Sequence, residues 1–184
     1  MLSENSLVKS NFTFTSSGYY TRIKNFGDIY VSNSTILNST LNAYSWSKTE
    51  IKHSQLDRLW AEGDQLMFVN NSKIIPQSDT YQSLTLSNVF GVHIQDTIVE
   101  KGISLNDFVG DTSLDNITIR NAQYGIRMFS SDPYLLHFEY VPVILSNLTF
   151  ENITDYHLRT QNHKENKPYN ITIFNSNISY SEIY

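Results

Sequence analysis

The sequence predicts an all-β fold built by stacking a short repeated unit, and two observations predict it. A five-residue phrase, apolar, Thr, apolar, any residue, Asn, occurs four times in the second half: Leu84-Thr85-Leu86-Ser87-Asn88, Ile117-Thr118-Ile119-Arg120-Asn121, Leu148-Thr149-Phe150-Glu151-Asn152 and Ile171-Thr172-Ile173-Phe174-Asn175. A second short alternating segment follows each phrase: Val92-His93-Ile94, Ile126-Arg127-Met128, Tyr156-His157-Leu158 and Ile178-Ser179-Tyr180. Alternation of period two puts the outer residues on one side of a strand and the middle residue on the other. The Asn then falls where the strand must turn. A strand–turn–strand unit cannot bury its apolar side alone, so copies must stack.

The elements follow in chain order. Residues 1–10 are polar and form an opening segment of one domain spanning 1–184. Phe12-Thr13-Phe14-Thr15-Ser16 and Ile29-Tyr30-Val31-Ser32-Asn33 are weaker copies of the phrase. Between residues 26 and 66 apolar side chains recur every five positions, through Val31, Ile36, Leu41, Ile51, Leu56 and Ala61. That spacing fits a pentapeptide repeat or irregular β-coils. A helix over 48–62, capped by Thr49 with Leu56, Leu59 and Trp60 on one face, competes there. Gln65-Leu66-Met67-Phe68-Val69 reads as a strand. The four clear phrases begin at residues 84, 117, 148 and 171, so one unit occupies roughly 20 to 30 residues. The longer units need insertions, and residues 129–143 and 159–169 read as protruding loops.

Composition narrows the function classes. Charged residues are 17% of the chain and the net charge is -5, so no Lys/Arg stripe exists to neutralise nucleic-acid phosphates. No apolar run is long enough to insert in a membrane, and the start of the sequence lacks the pattern of an export signal. The absence of Cys excludes disulfides, thiolate metal sites and a Cys nucleophile. No cofactor motif, complete catalytic motif or metal-ligand spacing is present. Asp96 with Glu100, and Asp111 with Asp115, are the carboxylates the fold could pair for glycoside hydrolysis.

Nine Asn-x-Ser/Thr acceptors, at Asn11, Asn33, Asn38, Asn70, Asn116, Asn147, Asn152, Asn170 and Asn177, exceed the number of about four that composition would give. Asn152 falls in a turn slot where burial is expected, which leaves eight candidates for N-glycosylation. Asn116, Asn147 and Asn170 each precede the first apolar residue of a phrase, which suggests one outward file.

The repeats resemble the parallel β-helix repeat of the pectin-lyase-like superfamily, most closely at Asn116-Ile117-Thr118-Ile119-Arg120-Asn121-Ala122-Gln123-Tyr124-Gly125-Ile126-Arg127 and over residues 80–184 generally. The resemblance implies a right-handed parallel β-helix with an amide ladder of Asn88, Asn121, Asn152 and Asn175. Stacking in phrase register would bring His93, Arg127 and His157 into one column beside Arg120 and Glu151, a file suited to an anionic sugar. The Thr residues of the phrases would form a second file. Fold likeness alone does not choose among the superfamily's activities. The expected role is an extracellular or cell-surface structural or adhesive module. Its expected partners are copies of itself, end to end or side by side, or cell-surface carbohydrate. The alternative is a polysaccharide-active enzyme or a tailspike-type carbohydrate-binding fragment.

Overall fold

A computed structural model describes residues 20–25, 28–45, 48–63, 66–77, 82–130, 141–162 and 169–183. Among them every regular element is a strand. These are β1 (Tyr20–Asn25), β2 (Ile29–Ser32), β3 (Thr35–Ser45), β4 (Lys48–Lys52) and β5 (Gln55–Glu62). Next come β6 (Leu66–Asn70), β7 (Lys73–Ile74), β8 (Leu84–Ser87), β9 (Val92–Glu100) and β10 (Ile103–Asn106). The last are β11 (Thr112–Ser130), β12 (Val141–Ser146), β13 (Thr149–Asn162), β14 (Tyr169–Phe174) and β15 (Ser181–Ile183). All pair in parallel within one sheet, a pattern compatible with a β-helix.

The pairings resolve into three columns. The first runs through Ile29, Thr49, Met67, Val92, Thr112, Val143 and Ile171 in register. Successive members are 20, 18, 25, 20, 31 and 28 residues apart, within or near the expected period. The second runs through Thr35, Gln55, Lys73, Ile98, Thr118 and Thr149. The third runs through Leu41, Leu59, Leu84, Ile103, Ile126 and Leu158. Long strands such as β11 cross from one column to the next, which is why the columns join in one sheet.

Alternation fills the core as the sequence requires. Val31, Ile51, Val69, Ile94, Leu114 and Leu145 of the first column are buried, as are Ile36, Leu56, Ile74, Val99 and Ile119 of the second. Each such side chain is worth about 1.5–3 kcal/mol of transfer free energy. The five-residue spacing now has a cause. Val31, Ile36 and Leu41 are inward residues of three successive columns; Ile51 and Leu56 repeat the first two one pass later, while Leu41 stacks on Leu59 and Ala61 on Ala43.

The corner between the first and second columns is the most regular feature. Asn33, His53, Asn71, Asp96, Asn116, Asn147 and Asn175 all adopt left-handed φ, between +45° and +53°. Asn and Asp tolerate that region because their short polar side chains bond locally. The next residue turns inward: Ser34, Ser54, Ser72 and Thr97 are buried. The Ser54 and Ser72 hydroxyls accept from the Ser34 and Ser54 amides at 3.3 and 3.2 Å, and each donates to the carbonyl two residues before it at 2.8 Å. A buried amide is thereby satisfied by the pass stacked on it.

Several expectations change. The 48–62 region is β4 and β5, not a helix, and Thr49 is buried in a strand instead of capping one. Ile178-Ser179-Tyr180 is not a strand, and Tyr180 has φ +55°. Strand extends into residues 129–130, 141–143, 159–162 and 169 of the expected loops; residues 131–140 and 163–168 lie outside the described residues. So do the opening segment 1–10 and the phrase Phe12–Ser16.

Candidate functional site

The outer side of the first column carries a groove of about 600 Å³, within the range of small-ligand sites. Its central file is set by the register: Tyr30, Glu50, Phe68, His93, Ser113, Ile144 and Thr172 are outward neighbours on seven stacked strands. Glu50 sits between two lysines, at 2.6 Å from Lys48 and in an ion pair with Lys52. Burial opposes ionisation of this carboxyl, but the hydrogen bonds and charges of Lys48 and Lys52 outweigh it and hold its pKa below the ordinary value. The Lys48 ammonium lies 5.4 and 5.0 Å from the Tyr30 and Phe68 ring centroids, a cation–π arrangement. Phe68 in turn stacks on His93 at 5.0 Å. His93 Nδ1 is 2.8 Å from the Ser113 hydroxyl.

The neighbouring file supplies amides and hydroxyls. Asn70, Gln95, Asp115 and Ser146 are register partners along it and line the groove. Asp115 accepts from the Ser146 hydroxyl at 2.7 Å and from Asn147 Nδ2 at 2.8 Å, and these bonds lower its pKa. A smaller pocket of about 400 Å³ adjoins, lined by Leu66, Phe90, Gly91, His93 and Asp111. His93 is common to both. The Phe90 side chain is 53% exposed and provides an apolar surface there.

The expected column of His93, Arg127, His157, Arg120 and Glu151 does not form as one file. His93 belongs to the first column, Arg120 and Glu151 are partners in the second, and Arg127 lies in the third. His157 stacks on Phe150 at 4.6 Å, and its Nδ1 accepts from the Ser179 amide at 3.2 Å. The physical reason is that the four phrases occupy three different columns, so only those at 117–121 and 148–152 stack on each other. The Asn ladder divides for the same reason. Asn121 and Asn152 are joined, amide to carbonyl, at 3.2 Å, whereas Asn88 and Asn175 stand at other corners. All four have left-handed φ. Of the Thr file, only Thr118 and Thr149 are neighbours.

The carboxylates also separate. Glu100 accepts from Arg120 Nε and its terminal nitrogen at 2.7 Å, while Asp96 accepts from Asn116 Nδ2 at 2.6 Å. Asp111 immediately precedes β11 and Asp115 lies four residues along the chain, roughly 13 Å away at the strand rise. Among the described residues, no three His, Asp or Glu side chains converge as a metal site. No helix of the described residues is long and apolar enough to cross a membrane.

Of the glycosylation candidates, Asn33, Asn116, Asn147, Asn170 and Asn177 are exposed, and Asn70 is half-buried in the groove wall. Asn116 and Asn147 are stacked corner residues with their amides engaged, while Asn170 pairs with Pro142 in the first column, so the three are not one file. Asn152 is exposed, contrary to expectation. Asn11 and the side chain of Asn38 lie outside the described residues. Lys48, Glu50, Lys52 and Phe68 were missed from the sequence. The 20-residue step from Val31 to Ile51 would have stacked Tyr30 on Glu50 and exposed the file. No family model, curated protein or solved structure matches the chain.

Proposed function

We propose that the three columns wind as a right-handed parallel β-helix and that the protein is an extracellular adhesive module holding carbohydrate in the first-column groove. The observation that carries this reading is the groove wall itself, where Asn70, Gln95 and Ser113 present amides and a hydroxyl on successive strands. Those strands are spaced about 4.8 Å apart, so equivalent donors and acceptors recur along an extended sugar chain. Charge within the groove is nearly balanced, with Lys48 and Lys52 against Glu50 and Asp115, which favours a neutral, hydroxyl-rich ligand. One face of Phe68 is taken by Lys48 and the other by His93, so recognition rests on hydrogen bonds, with Phe90 as the apolar contact.

Binding without turnover fits the dispersal of the carboxylates into separate hydrogen bonds. The exposed acceptors Asn33, Asn170 and Asn177 are the ones we expect to carry glycans, which mass spectrometry of the exported protein checks. Titration of neutral oligosaccharides, followed on the His93 ring signals, tests the groove. A saturable shift abolished in Gln95→Ala supports it, and no shift with any oligosaccharide overturns it.

A second reading, end-to-end assembly, is favoured by one observation. Ile173 continues the inward file of Val31 to Leu145 yet is 43% exposed, and among the described residues β14 pairs with β12 alone. Copies stacked on that edge would form fibres visible by negative stain. A protein that stays monomeric at high concentration argues against it.

A further inference from the structure

We propose that residues 176–183, which lead into β15 and include it, form a pH-sensitive strap latched onto β13 by neutral His157. The latch is a pair of hydrogen bonds. The His157 amide donates to the Tyr180 carbonyl at 3.1 Å, and the Ser179 amide donates to His157 Nδ1 at 3.2 Å. An imidazole nitrogen accepts only when it carries no proton, so the closed strap requires a neutral ring with its proton on Nε2. Protonation places an N–H on Nδ1, facing the Ser179 N–H, and the second bond is lost.

The surroundings of the ring do not offset that loss. It stacks on Phe150 at 4.6 Å, but Phe150 is on the same strand, so its attraction for an imidazolium does not favour the closed strap over the open one. The titratable and charged side chains around His157 are Tyr180 on the strap, Glu182 on β15, Tyr124 and Arg127 on β11, and Asp155 and Arg159 on β13 itself. Both carboxylates are engaged elsewhere. Asp155 accepts from Gln123 Nε2 at 2.8 Å, and Glu182 lies 2.9 Å from Arg159 Nε.

The strap is otherwise weakly held. The inward file of the third column runs through Leu41, Leu59, Leu84, Ile103, Ile126 and Leu158, all buried, but its next member is Ser181, which is exposed. No side chain of residues 176–182 is buried, and β15 makes three register pairs with β13. The start of the strap is fixed without a titratable group, by the Ser176 hydroxyl accepting from the Leu148 amide at 3.0 Å. A segment with so little buried apolar surface opens at low cost, so one lost bond counts for more here than in the core. Opening uncovers Leu158 and an edge of β13, a strand edge covered at neutral pH and available for pairing in mild acid.

The test is hydrogen exchange of the intact chain at about pH 8 and about pH 5.5, a range that spans histidine titration and stays above that of ordinary carboxylates, with rates corrected for the intrinsic pH dependence of amide exchange. The amides of Ser179 and residues 181–183 should lose protection about tenfold or more at the lower pH, while those of β9 keep theirs. His157→Phe retains a stacked ring but has no acceptor, so protection of the strap should be low at both pH values. His53→Asn, which puts the commoner residue into its corner, should leave the wild-type profile unchanged. Equal protection at the two pH values in the wild type, or the same fall in a folded His157→Phe variant, overturns the proposal. If His157→Phe does not fold, nitrogen NMR of the wild-type ring decides. A proton on Nε2 at the higher pH, with strap protection falling as the ring titrates, supports the latch, and a proton on Nδ1 overturns it. No sugar is present in these experiments, so the strap stands or falls apart from the groove.

Discussion

The corner leaving the first column and the corner returning to it differ sharply, and the difference shows where this fold is specified. The outgoing corner uses one left-handed residue in all seven passes, followed by a residue that points inward. The returning corner has no fixed length: three residues separate Glu62 from Leu66, four separate Ser87 from Val92, and five separate Asn106 from Thr112. At three of the first corners a Ser hydroxyl accepts from the backbone amide of the pass before it, whereas the second corner need only bring the chain back to register. The groove lies on the strands between them, with its Asn70, Gln95, Asp115 and Ser146 edge against the fixed corner.

The comparison can be broken at the variable corner first, because its looseness has an exception. Gly110 has φ +81°, and a Cβ there would meet the Phe90 carbonyl oxygen at 2.0 Å. Gly110→Ala should lower stability by roughly 3 kcal/mol in denaturant unfolding, through backbone strain and displacement of Phe90. A loss as small as that of a surface substitution would mean this corner is free throughout.

At the fixed corner, Ser54→Ala removes the acceptor of the Ser34 amide and the donor to the Lys52 carbonyl. A cost of about 1–3 kcal/mol is expected. Asn71, at φ +45°, sharpens the point. Asn71→Val should cost about 1–2 kcal/mol because a β-branched residue resists left-handed backbone, while Asn71→Gly should change stability by less. The order Val, then Gly, read from unfolding midpoints, checks whether backbone conformation or the amide side chain governs the position.

The smallest effect is electrostatic. The folded pKa of Asp115 lies below its ordinary value of 3.8, so its ionised form stabilises the fold above that pH and the contribution is lost as pH falls through the folded pKa. Asp115→Asn should therefore lose stability less steeply than the wild type between about pH 5 and about pH 3. Equal slopes would remove Ser146 and Asn147 as its partners.

Many strand positions, their inward residues and the Asn turn slots were legible in the sequence because each depends on local alternation and turn chemistry. Ile29 to Asn33 and Leu84 to Asn88 show this directly, each a strand ending in a left-handed Asn. Which strands stack was not legible. The phrase apolar-Thr-apolar-x-Asn satisfies any corner, so Leu84, Ile117 and Ile171 look equivalent yet sit in the third, second and first columns. The fixed corner also hid itself, since His53 and Asp96 fill the slot taken elsewhere by Asn. The groove was invisible for the same reason: Glu50 and Phe68 matter only once Tyr30 and His93 are known to flank them.

Register is therefore the claim on which the groove and the strap rest, and a chain without Cys permits a direct measurement of it. Paired Cys substitutions at His93 and Ser113, register partners about 4.8 Å apart at the backbone, should form a disulfide on mild oxidation. The pair at His93 and Arg127, which phrase matching would align, should stay reduced. The opposite result, a bridge between positions 93 and 127 with none between 93 and 113, would contradict the three-column arrangement, and the groove and the strap with it.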